Sequence, residues 1–238
     1  MRHETGTDPL YCRPEAYRWF ADQMPDLNTT DGLLRAAIAV SLHALDDVAP
    51  ERVELAVQQL AEKIRSQCKS NSPNALLAHL HDVFFEEERF VGNLDNYYVA
   101  LNSYVPVVLN TRRGLPIILA LLYKAVGEKI GLQIEGVNSP AHFLARVRID
   151  ESWLLIDPFY GGQALTTDEA FRRIEQVAGR KIPRDENYLA PATHAQWLAR
   201  ILANLQALFS KEGRHDDLAA MTELQQVLVG LQNSHATH

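Results

Sequence analysis

The stretch IILALLYKAVGEKI, bounded by Gly114 and Pro116 on one side and Gly131 on the other, limits what this chain can fold into more than any other. Pro116 suits the first turn of a helix, where a missing N–H costs little, and Gly131 suits a helix end. Between them the residues are apolar on nearly every side, so the helix they predict must be wrapped by other elements rather than lie on a surface. After Gly131 the periodicity changes. LQIEGV, AHFLARVRI and SWLLID alternate or run apolar in short segments, which is the pattern of strands. The expected class is α+β and helix-rich, with a central buried helix packed on a small antiparallel sheet and flanked by N- and C-terminal helices.

Asp150 and Glu151 are the expected turn between the last two strands. If that turn has two residues, Arg148 lies near Trp153 and Leu144 lies opposite Asp157. His142 then shares a sheet face with Leu144 and Asp157, within reach of a hydrogen bond. A three-residue turn would put His142 and Asp157 on opposite faces.

The flanks read as helices. Residues 1–29 form an extension punctuated by Pro9, Pro14 and Pro25, with room for a short helix at Glu15 to Met24. Residues 30–90 hold a helical part. Leu33, Ala37, Val40, Ala44 and Leu45 share one face of a helix capped by Thr30 or Asp31. Val53, Ala56, Val57, Leu60 and Ile64 share one face of a helix opened by Pro50. A third helix follows Ser72-Pro73 and runs into EEERF, whose three carboxylates point in different directions and read as a solvated end. His79 and His81, two apart, face away from each other, so no metal site is expected. Residues 91–190 hold the core with the central helix and strands, including a helix over TTDEAFRRIEQVAG capped by Thr166 or Thr167. Residues 191–238 form an accessory amphipathic pair that turns at Gly213 and has the length of one 34-residue helical repeat.

Composition enters as a set of exclusions. With 23 Lys and Arg against 30 Asp and Glu, the net charge of -7 argues against a nucleic-acid partner. No apolar run reaches the roughly 18–20 residues that span a bilayer, and no membrane role is expected. The N-terminal MRHETGTDPLYCRP lacks the apolar core of a secretory signal. The two cysteines, Cys12 and Cys68, have no metal or disulfide spacing, which is the pattern of a reducing cytoplasm. No cofactor is expected, and the oligomeric state is left open.

VGNLDNYYVALNSY is dense in Asn and Tyr. It reads equally as a connection tied by Asn and Asp to nearby backbone and as the wall of a binding groove. The groove reading takes Asn93, Asp95, Asn96, Tyr97, Tyr98, Asn102 and Tyr104, with Arg113, Gly114 and Phe143 beside them.

At GLPIILALLYKAVGEKIGL, PAHFLARV and WLLIDPF the chain resembles the transglutaminase-like superfamily, and more narrowly the bacterial SirB family. That resemblance implies a papain/transglutaminase-like core carrying C-terminal tetratricopeptide-type helices. Where relatives tend to read DNYYDP, this chain reads DNYYVA. Catalytic members of the superfamily open the central helix with Gly-x-Cys and activate the thiolate with a His and an Asp. Carried over, Gly114 matches the glycine, Ala120 the small residue that follows, His142 the base and Asp157 the orienter, while the Cys falls on Pro116. Cys12 and Cys68 lie outside the core, and Ser103, Thr111 and Ser139 are alcohols without an evident base and oxyanion site.

Two functions follow. In the one adopted, the chain is a pseudoenzyme in which His142 and Asp157 are vestigial and a peptide or protein partner binds the groove, with a regulatory role. In the alternative, it is an amide or peptide hydrolase, or an acyl-transfer enzyme, that uses His142 and Asp157 with a different nucleophile.

Overall fold

A computed structural model describes residues 8–235 of the chain, with side chains described through residue 230. The first residues of the N-terminal extension and the last of the C-terminal pair lie outside the described residues.

The chain runs through α1 (Pro14–Asp22), α2 (Thr30–Leu42), α3 (Pro50–Gln67), α4 (Pro73–His81), β1 (Val91–Gly92), α5 (Val105–Thr111), β2 (Arg113–Gly114) and α6 (Pro116–Lys129). It continues through β3 (Ile134–Val137), β4 (Leu144–Ile149), β5 (Ser152–Asp157), β6 (Gln163–Leu165), α7 (Thr167–Ala178), α8 (His194–Glu212) and α9 (His215–His235). The class is α+β, as the periodicities predict.

Every residue of α6 from Pro116 to Gly127 is buried. Helices α2, α3 and α5 and strands β3 and β4 all pack against it. Its one internal charge, Lys124, is satisfied in place: Nζ donates to the Ile134 carbonyl at 2.6 Å and to Glu128, which offsets the cost of burying an ammonium.

The sheet is antiparallel with order β3-β4-β5-β6. Ile149 pairs with Ser152, so the turn has two residues, and Asp150 adopts the positive φ of 51° that such a turn needs. Arg148 pairs with Trp153 as the two-residue turn requires. Strand β6 is not foreseen by the sequence reading, because GGQAL is short and polar. Gly161 and Gly162, with φ of 68° and 75°, fold the chain back onto β5.

Three local expectations need correction. The cap of α2 is Thr29 rather than Thr30 or Asp31: Thr29 is extended and its hydroxyl accepts from Gly32 N at 3.0 Å, whereas Thr30 is already helical and bonds Glu128. The third helix does not stay α-helical into EEERF. After α4 it widens into a π-helical turn, Asp82–Glu87, which lets the consecutive Val83, Phe84 and Phe85 all face inward. Helix α8 is not accessory. Trp197, Leu198, Ile201, Leu202, Leu205 and Phe209 are fully buried, and Trp197 Nε1 donates to the Ile117 carbonyl at the start of α6. One buried cluster takes in residues from Cys12 to Leu228, and two smaller ones lie around Leu144 and Ile174.

Candidate functional site

His142, two residues before β4, and Asp157, the last residue of β5, meet at one end of the two central strands. The β4–β5 register, continued one step past the Ala145–Ile156 pair, sets Leu144 opposite Asp157, and His142 lies two residues earlier on the same face. Its Nε2 is 3.0 Å from Asp157 Oδ2, and both side chains are buried. The chain reaches this point through Ala141, at φ 58°, in a turn held by the Ser139 hydroxyl on the Tyr188 carbonyl.

Asp157 is engaged on three sides. Its Oδ1 accepts from Phe159 N at 3.2 Å, capping the short 3-10 turn Pro158–Tyr160, and its Oδ2 also accepts Arg173 from α7 at 2.7 Å. Arg173 stacks on the Tyr160 ring at 3.8 Å. A carboxylate can only accept, so the imidazole donates to it through Nε2. The other ring nitrogen, Nδ1, has no hydrogen-bond partner.

That imidazole lines a cavity of about 260 Å³ between the start of α6 and one face of α8. Leu115, Pro116 and Ile117 form one side, Ala141 to Phe143 another, and Tyr97, Tyr98, Val99 and Ser103 a third. Arg200, Asn204, Ala207, Leu208 and Lys211 of α8 close it. Pro116, the residue that the resemblance aligns with a cysteine, is the first residue of α6 and faces the same space as His142.

Of the groove residues read from sequence, Tyr97, Tyr98 and Phe143 line the cavity. The others do not. Asn93, Asn96 and Asn102 form the tie: Asn102 Nδ2 donates to the carbonyls of Asn96 and Tyr97 at 2.6 and 3.0 Å, Asn93 Nδ2 donates to Asn102, and Asn96 N donates back to Asn93. Asp95 pairs with Arg113 on the surface at 3.2 Å. Tyr104 is buried elsewhere, its phenol pushed up to about 12 by burial. Gly114 is placed where a Cβ would press into Val108. The two readings of the Asn/Tyr segment therefore divide by residue type: asparagines hold the segment in shape, and two tyrosines form the wall.

The α8 wall is what sequence reading missed. Arg200, Asn204 and Lys211 recur at helical spacing on one face, a polar stripe opposite the buried Leu198–Leu205 side, and that stripe was the available signal.

No thiol reaches the cavity among the described residues. Cys12 is buried, and burial together with nearby Glu223 pushes its thiol up to about 12; Cys68 donates to the Ser70 carbonyl at 3.3 Å. Thr111 and Ser139 spend their hydroxyls on backbone carbonyls. Ser103 lines the cavity but is not bonded to His142. Among the described residues no group of three His, Cys, Asp or Glu is placed to hold a metal ion.

A family model described as the transglutaminase-like superfamily matches residues 51–203. Among curated proteins, a UPF0162 protein of Xylella fastidiosa is 32% identical, over 79% of this chain and 68% of its own length. A UPF0162 protein of Pseudomonas aeruginosa is 26% identical over 82% of this chain and 71% of its own. Human F-box only protein 21 is 32% identical over 58% of this chain, but over only 22% of its own length. No solved structure matches.

Proposed function

The chain belongs to the transglutaminase-like superfamily, alongside the UPF0162 proteins, and on that premise we propose that it is a non-catalytic member that binds a peptide or protein partner in the cavity beside His142. The observation that carries this reading is the free Nδ1 of His142 in a cavity whose central-helix side is a proline ring. A base with no acidic proton to take activates nothing. Binding is further supported by two exposed side chains that line the cavity, Tyr98 and Val99. The role assigned is regulatory, in a SirB-type arrangement in which α8 and α9 correspond to one tetratricopeptide-type pair. The cytoplasm is the assigned compartment, a reading that accords with two free, buried cysteines.

A second reading has one specific support: the Ser103 hydroxyl lines the same cavity and, among the described residues, has no hydrogen-bond partner of its own. Movement of that hydroxyl onto His142 Nδ1 would create a serine hydrolase pair.

Incubation with a fluorophosphonate and with an acyl-transfer probe separates the two. The binding reading expects no label that depends on His142. A label lost in both His142→Ala and Ser103→Ala would establish the hydrolase instead. For the binding reading, capture of a partner must weaken in Tyr98→Ala, since that ring is exposed at the mouth and its removal leaves the core intact.

A further inference from the structure

The polar groups around the cavity do not balance. Arg200 reaches only neutral amides: Nε donates to Asn204 Oδ1 at 3.3 Å and one terminal nitrogen donates to Asn138 Oδ1 at 3.1 Å. Burial pushes the guanidinium below its ordinary range. Lys211 lies over the Tyr98 ring at 5.1 Å. Among the described residues neither cation makes an ion pair, and no Asp or Glu lines the cavity. The nearest site carboxylate, Asp157, is taken up by Arg173, His142 and Phe159 N.

The remaining polar groups complete a binding set. Burial holds the Tyr97 phenol above its ordinary range, so at neutral pH it is a hydrogen-bond donor. Helix α6 opens toward the cavity with no side-chain cap, which adds the positive end of its dipole. A buried acceptor without a partner is His142 Nδ1, in a side chain 2% exposed. Around these the walls are apolar: Val99, Leu115, Pro116, Ile117, Phe143 and Leu208.

We infer that the cavity is a receptor for the free C-terminal end of a peptide chain with an apolar last residue, its carboxylate held by Arg200 and Lys211. The inference rests on the peptide-binding reading above and names the part of the partner that enters. The α-carboxylate supplies the negative charge that Arg200 and Lys211 lack. An amide N–H near the chain end supplies the donor that His142 Nδ1 lacks, and the last side chain meets the apolar walls. Depth favours an end over a through-running segment: His142 and Pro116 are buried at the floor, whereas Tyr98 at the rim is 73% exposed. At about 260 Å³ the space is also smaller than the roughly 300–1,000 Å³ of sites for drug-sized ligands.

The test is an NMR titration of the full chain with N-acetyl-Ala-Ala-Leu as the free acid and as the C-terminal amide, with N-acetyl-leucine and inorganic phosphate as further arms. The free acid should shift the amide resonances of Ala141, Phe143 and Leu208 saturably, with the amide at least about tenfold weaker, as expected for loss of a charge-assisted contact. Arg200→Gln should remove the preference, and Lys211→Gln, on the surface, should reduce it without disturbing the fold. Equal binding of acid and amide overturns the carboxylate assignment and leaves the peptide-binding reading standing. Phosphate binding tighter than the acid overturns it in favour of a phosphate site, and N-acetyl-leucine matching the tripeptide overturns the chain-end assignment. If neither tripeptide binds, the inference fails, and partner capture with Tyr98→Ala then judges the peptide-binding reading separately.

Discussion

His142 and Asp157 are separated by 15 positions in the chain, yet Nε2 and Oδ2 are 3.0 Å apart in the buried interior. The same oxygen accepts Arg173 at 2.7 Å. The carboxylate is therefore paired from a third element, α7, and the histidine is held between it and the cavity, with its second nitrogen unpartnered.

Because Asp157 is fully buried, Arg173 should matter to stability more than a surface arginine does. Breaking a buried ion pair from one side typically costs about 3–5 kcal/mol. With His142 and the Phe159 N–H still on the carboxylate, Arg173→Met should cost about 3 kcal/mol, read from the urea midpoint at constant m-value. A loss no larger than that of an exposed arginine such as Arg113→Met would contradict the account of Asp157.

The acid sensitivity of the fold should have a contribution from His81. Its Nε2 lies 2.9 Å from the Tyr123 hydroxyl, and burial lowers its pKa from 6.5 to about 4. The unfolded chain thus takes up this proton first. Stability is complete above pH 6.5, falls as pH drops from 6.5 to 4, and stops falling on this account below that. The loss amounts to as much as about 3 kcal/mol. In denaturant titrations across that range, His81→Gln should show a flatter acid limb than the native chain; parallel curves would remove His81 as the cause.

If Pro116 stands where the superfamily keeps its thiol, Pro116→Cys should restore a reactive one. Its position at the start of α6, facing the cavity with His142, favours the thiolate. Iodoacetamide at neutral pH should modify it on the order of tenfold or more faster than Cys12, whose thiol is pushed up to about 12. The rate should fall when His142→Ala is added. A thiol as inert as Cys12 would mean that the two side chains are not aligned for proton transfer.

Gly136 packs behind Phe143, which lines the cavity, and against Trp197. A Cβ there would run into the Trp197 ring and come within 2.8 Å of Phe143, whose rings pack at 4.6 Å from each other. Gly136→Ala should cost about 2 kcal/mol through overpacking and displace the Trp197 ring against Phe143, which lines the cavity. Thermal unfolding together with a change in tryptophan emission would show it. An unchanged emission maximum would mean that the strand gives way instead of the ring.

Much of this was written locally in the chain. Apolar faces and first-turn prolines placed the helices, and alternation placed β3, β4 and β5, because these depend on neighbours within a few residues. The pairing of His142 with Asp157 was legible too, conditional on the Asp150–Glu151 turn, since strand register follows from turn length. The π-turn after α4 was not legible. It depends on three consecutive apolar residues all finding space in a core assembled from distant elements.

The amino-acid order on its own settled the buried central helix, the proline at its head and the presence of one imidazole just before one strand and one carboxylate at the end of the next. Only the folded arrangement brought α8 across the chain to set Arg200 and Lys211 over that site, and drew Arg173 in behind it. The physical reason is distance: side-chain charges tens of residues apart have no local signature of their contact, and their balance is decided where packing removes them from water.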